Sequence, residues 1–130
     1  MNEVLEFINE CGVFFISTVE NDRPRVRPFS FIMEYDGKLC FATNNQKPIF
    51  NQLKANPNVE ISASKGANWI RLSGEAIFCT TKEAKSKALE VMPALKQMYN
   101  EADNVFEVFY LQNAEADFYS LKGDHKSISL

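Results

Sequence analysis

The pair Asp36-Gly37 lies between two segments of strand-like residues and constrains this chain more than any other feature. A two-residue hairpin loop needs positive φ at its central positions, which Asp and Gly reach readily, so the flanking segments must pair antiparallel. Upstream, Pro24 to Tyr35 alternates, with Arg25, Arg27, Phe29, Phe31, Met33 and Tyr35 on one side. Downstream, Lys38–Thr43 is a short apolar run. Further strands are expected at Val13–Val19, Val59–Ser64, Trp69–Cys79, Val105–Leu111 and Ala116–Leu121, the last two parted by a turn at Gln112–Ala114. Gly74, inside the long strand, marks a bulge or a close approach to the backbone.

Three helices interrupt the strands. Asn2–Cys11 carries Val4, Phe7, Ile8 and Cys11 at helical spacing and stops at Gly12. Lys47-Pro48 opens a second helix, with Ile49, Phe50 and Leu53 as its apolar face and Asn56-Pro57 as its stop. A third starts at Thr80, where Glu83 completes a capping-box pattern, and breaks near Val91–Met92 because Pro93 falls inside its stripe. Gly123 to Leu130 carries no signal. Short hairpin-linked strands with a few helices predict a mainly β protein, an antiparallel barrel or sheet with peripheral helices, as one domain over 1–130.

Composition removes several functions. A net charge of −3 argues against a nucleic-acid surface. No apolar run is long enough to span a membrane, and no secretory signal opens the chain. Cys11, Cys40 and Cys79 are odd in number and sit among apolar residues, as expected of reduced thiols in the cytoplasm. His125 is the only histidine and no CxxC exists, so no metal site is expected.

The chemistry concentrates between Leu39 and Ile61. Thr43, the amide loop Asn44-Asn45-Gln46 and Lys47 sit at a helix N-terminus, where backbone N–H groups and a partial positive charge suit a phosphate. An ordinary capped helix with a solvated lysine explains the same residues equally well. Arg25 and Arg27 share a face with Phe29 and Phe31, and charges are seldom buried without partners. A salt bridge is the simpler account of Arg25. Arg27, taken with Lys47 and the loop amides, points to a phosphate dianion.

Four segments in order, RPRVRPF (23–29), LCFATNNQKP (39–48), NQLKANPNVEIS (51–62) and WIRLSGEA (69–76), resemble the FMN-binding split barrels related to pyridoxamine 5′-phosphate oxidase. The chain looks most like compact bacterial members named nitroimidazole-resistance or general stress proteins. The resemblance implies a six- or seven-stranded antiparallel split barrel, a homodimer, and FMN in clefts at the subunit interface. It puts Arg27 and Lys47 on the phosphate, Pro28 and Phe29 along the ring, Thr43 and Asn44 after the third strand, and Trp69 near the ring. With Arg25 these make the candidate cofactor-binding set, and no catalytic residue is assigned. The oxidase proper has C-terminal tryptophan and arginine positions, whereas Trp69 is the only tryptophan here and Val105–Leu130 holds no arginine. Synthesis of pyridoxal phosphate is therefore not expected.

Two functions remain. One is an FMN-dependent oxidoreductase carrying electrons from a nicotinamide or a partner to a small acceptor. The other is a non-catalytic protein that sequesters or senses a flavin or haem. Phe106, Phe109 and Tyr110 are expected either at the dimer interface or in the core, and Glu75 is either a polar contact or a solvated strand residue.

Overall fold

The computed structural model describes residues 1–130. Its elements run α1 (Asn2–Cys11), β1 (Phe14–Glu20), β2 (Arg23–Phe29), β3 (Met33–Tyr35), β4 (Lys38–Asn44), α2 (Pro48–Ala55), β5 (Asn58–Lys65), β6 (Asn68–Phe78), α3 (Lys82–Val91), β7 (Phe106–Ser120) and β8 (His125–Ser129). The strands follow one path, β2-β1-β5-β6-β7-β4-β3, with β8 added to β7. Every pairing is antiparallel. At the β3–β4 hairpin, Asp36 and Gly37 have φ of 53° and 74°, the pair of positive values such a turn requires.

The segment expected as one strand from Pro24 to Tyr35 is two. β2 pairs only with β1 and β3 only with β4, so consecutive strands stand at opposite ends of the sheet path. Only Ser30, Phe31 and Ile32 separate them. The four Cα steps from Phe29 to Met33 reach at most about 14 Å, so the sheet must curl until its two ends meet. The product is an antiparallel split barrel with a seam between β2 and β3, mainly β as the sequence predicts.

Inside the curl, Phe14, Ile16, Phe41, Ile61, Ile70, Leu72 and Phe109 meet Val4 and Ile8 of α1 and Ile49 and Leu53 of α2. A second cluster covers the opposite face of β3, β4 and β7, where Met33, Cys40, Phe106 and Val108 pack against Ala84, Ala88 and Leu89 of α3. Alternation along β4 serves both: Leu39 and Phe41 face the first cluster, Cys40 the second. Phe41 is stacked on Phe109 at 5.4 Å and fully buried, so Phe41→Ala is expected to cost about 3–5 kcal/mol. Phe106 and Phe109 are thus intrachain core, while Tyr110 is half-buried.

Other boundaries differ from expectation for local reasons. The cap of α3 is Thr81, whose Oγ1 accepts the Ala84 N–H at 3.1 Å. Thr80 instead donates to Glu107 at 2.7 Å, fixing the entry to the helix. The helix ends at Val91, and Pro93–Gln97 follows as a 3₁₀ turn, so the break expected at Pro93 is present. The expected turn at Gln112–Ala114 is a kink within one continuous β7, where Asn113 takes φ 54° and the register with β6 shifts between Ser73 and Glu75. Gly74 lies at that shift. A Cβ there would meet the Gln112 carbonyl and the Leu111 Cβ at 3.1 Å, which explains the glycine. Glu75 accepts from Asn113 at 3.1 Å beside the same kink. The silent C-terminal segment forms β8, held by its ladder to β7. No helix is long and apolar enough to cross a membrane.

Candidate functional site

The seam opens into a cleft of about 410 Å³. β2 contributes Arg27, Pro28 and Phe29, β4 contributes Ala42 and Thr43, and the start of α2 contributes Lys47, Pro48 and Ile49. Across from them, the break after α3 brings Met92, Leu95, Met98 and Tyr99, with Phe106 from β7. The cleft is therefore polar at one end and apolar at the other. Five residues that the sequence singled out meet here: Arg27, Pro28, Phe29, Thr43 and Lys47.

Arg27 is the unusual member. Its Nη1 donates to the Thr18 hydroxyl at 2.9 Å and the Ile16 carbonyl at 3.3 Å, and its Nη2 donates to Gln52 Oε1 at 2.6 Å. These acceptors are all neutral, and no carboxylate forms an ion pair with Arg27 or Lys47. Burial alone pulls the Arg27 pKa down from its ordinary value. The guanidinium stays charged at any physiological pH, so its charge stands uncompensated. The Thr43 hydroxyl is buried at the wall of the same cleft with no hydrogen-bond partner. Such a group costs about 1–3 kcal/mol unless something binds it. A guanidinium without a counter-charge and a free ammonium on one small cleft, with an unpartnered hydroxyl buried in its wall, suit an anion with several acceptor oxygens.

The loop behind them is organised differently from expectation. Its amide N–H groups were expected to face the anion, but Asn45 N–H donates to Val105 O, Gln46 N–H to Asn44 Oδ1 and Lys47 N–H to Asn44 O. Pro48 has no N–H to offer. The loop's own N–H groups are thus engaged, and the backbone donor left at the start of α2 beside the cleft is the Ile49 N–H, which has no acceptor within the chain. Asn44 is tied by its Nδ2 to the Tyr99 hydroxyl at 2.6 Å, bracing the loop against the far wall of the cleft.

The remaining candidates lie elsewhere. Arg25 is exposed and paired with Glu20 at 2.8 Å. Trp69 sits on the outer face of β6, stacked on Tyr119 at 4.3 Å, and does not line the cleft of its own chain. His125 stacks on Tyr119 in the same array, 3.0 Å from Asp117. A second depression of about 400 Å³ between α1, β7 and β8 is ringed by Glu3, Glu6, Glu10 and Asp124, a setting hostile to anions. Sequence reasoning missed Gln52 and Thr18. Gln52 follows Ile49 by three residues and so shares the inward side of α2, the one available signal.

A family model described as pyridoxamine 5′-phosphate oxidase matches residues 1–123. The chain belongs to that family. The matched span of this oxidase-family chain contains every cleft residue and stops short of β8. Among solved structures, a NimC/NimA family protein from Clostridium acetobutylicum is 46% identical, with a TM-score of 0.95 over 100% of this chain and 92% of the other. A pyridoxamine 5′-phosphate oxidase-related, FMN-binding protein from Nostoc punctiforme shares the fold at 13% identity, with a TM-score of 0.68 over 98% and 95% of the two chains. A heme-binding protein from Mycobacterium smegmatis does so at 17% identity, with a TM-score of 0.72 over 94% of this chain and 57% of the other. No protein of curated function matches the sequence significantly.

Proposed function

We propose that this oxidase-family chain is a single FMN-binding split-barrel domain that acts as an FMN-dependent oxidoreductase on a small electron acceptor. The observation that carries the reading is the uncompensated Arg27 beside the orphaned Thr43 hydroxyl at the polar end of an otherwise apolar cleft. These groups fit the phosphate of FMN, with Lys47 adding charge at the rim and Arg27 donating in a fork. Pro28 and Phe29 would flank the ring, and Ile49, Met92 and Leu95 would keep water from it. The redox chemistry would come from the flavin, while the chain's own residues bind it, orient it and desolvate it. That division explains why a site without an evident acid–base pair suffices.

The protein is further proposed to work as a cytoplasmic homodimer with FMN at the subunit interface. Phe15 and Val26 are 50% and 67% exposed on the outer face of β1 and β2, in register with Pro28 and Ser17. Apolar side chains clustered beside a cleft favour a partner surface. The same cleft would equally serve a non-catalytic carrier of flavin or haem, and the two readings part on turnover. The absorption spectrum of the purified protein should show oxidised flavin bands. Reduced nicotinamide should bleach them, and a nitro-aromatic or quinone should restore them through many cycles. A haem spectrum, or flavin that binds without turnover, would replace the enzyme with the carrier.

A further inference from the structure

Gln52 stands where a carboxylate would be the ordinary partner of a half-buried arginine, and it is itself only 7% exposed. Arg27 Nη2 donates to its Oε1 at 2.6 Å, and the Thr18 hydroxyl donates to the same oxygen at 2.6 Å. Arg27 Nη1 in turn donates to Thr18 at 2.9 Å, closing a ring of three hydrogen bonds. A guanidinium has no acceptor, so the amide oxygen must face Arg27 and the orientation of Gln52 is decided by chemistry. Its Nε2 then points to Glu20, 3.5 Å from Oε2. Glu20 Oε1 is meanwhile held by Arg25 at 2.8 Å.

We propose that Gln52 is a positioning residue that holds the Arg27 guanidinium by a neutral acceptor and separates it from Glu20, so that its full charge remains for a phosphate-bearing ligand. The proposal rests on the phosphate reading of the cleft and adds the device that makes it selective. Three of the five guanidinium N–H groups are fixed by the ring and the Ile16 carbonyl, which leaves two free. Thr18, 1% exposed, completes the ring from β1 and limits the rotation of both partners. Arg25 assists from outside by occupying Glu20, so the nearest carboxylate is engaged twice, by Arg25 and by the Gln52 amide. A side chain of the same length with a carboxylate would pair with Arg27 directly and remove what the ligand needs.

The test is Gln52→Glu, an isosteric change, with FMN and riboflavin titrated calorimetrically into apo-protein and thermal unfolding followed in parallel. The variant should stay folded, with an unfolding temperature close to the wild type's. The charged partner gained by Arg27 offsets the repulsion between the new carboxylate and Glu20, whose Oε2 lies 3.5 Å from the amide nitrogen replaced. Its affinity for FMN should fall by about ten- to a hundredfold and that for riboflavin by less than about twofold. Thr18→Val should weaken FMN selectively by about threefold, which keeps the test open if Glu at 52 impairs folding. Equal weakening of both ligands, or an unchanged FMN preference in both variants, would overturn the role of Gln52 while leaving the phosphate reading intact. A wild-type protein that binds riboflavin as tightly as FMN would overturn both.

Discussion

Two regions of this barrel look alike in sequence and differ in physics. Around Arg27 and around Arg71, an arginine on a strand lies near aromatic residues, hydroxyls and a carboxylate. Arg71 is satisfied: its Nε is 3.8 Å from Glu60, and its guanidinium carbon lies 5.5 Å from the rings of both Trp69 and Tyr119. Asp117 beside it is held below the usual carboxylate range by hydrogen bonds from Ser127 and His125, with Arg71 assisting. At Arg27 the acceptors are neutral, the Thr43 hydroxyl buried in the cleft wall is orphaned, and Lys47 stands unpaired. Residue types are thus a poor guide to a ligand site. Unmet charge and unmet hydrogen bonds are a better one, because folding alone does not favour them.

The largest effect is expected at Arg27. Arg27→Ala should weaken FMN by about a hundredfold and riboflavin hardly at all, with Arg27→Lys recovering only part because an ammonium lacks the fork. Lys47→Ala, at the open rim, should cost about tenfold in the same ligand-selective way. Both are read by titration of apo-protein.

Thr43→Val sharpens the contrast from the other side. Removing a buried, partnerless hydroxyl should stabilise the apo-protein by about 1 kcal/mol, or roughly 3–5 °C in Tm, while weakening FMN by about three- to tenfold. A mutation that raises stability and lowers affinity is the signature of a group held ready for a ligand. Loss of stability instead would mean that the hydroxyl has a partner in the native protein. The smallest effect belongs to the satisfied region: Trp69→Phe should change FMN affinity by less than about threefold. A larger loss would show that the face bearing Trp69 reaches the cleft of a second copy.

Much of this was legible in the sequence, and the exceptions have reasons. The Asp36-Gly37 turn, the stop at Asn56-Pro57 and the break before Pro93 are local chemistry, and each appears where the residues demand. Long-range facts were not legible. HKSIS has no apolar period, and β8 exists only because β7 extends far enough to accept it. The kink at Asn113 reads as a turn until its partner strand is seen to shift register with it. At the site, β2 did present Arg25, Arg27 and Phe29 on one face, but only tertiary placement divides the arginines, giving one Glu20 and the other Gln52. The loop amides could not be assigned in advance, since their acceptors lie on Asn44 itself and on Val105, distant in sequence.

The polar end of the cleft is proposed to exist for a phosphate. Calorimetric titration of wild-type apo-protein with FMN and with riboflavin isolates that group, since the two ligands share the ring and differ by the phosphate. Charge-assisted hydrogen bonds of about 1.5–3 kcal/mol each from Arg27 and Lys47 predict tighter binding of FMN by roughly two to four orders of magnitude. Equal affinity for the two would contradict the account and return Arg27, Thr43 and Lys47 to an ordinary strand edge and helix start.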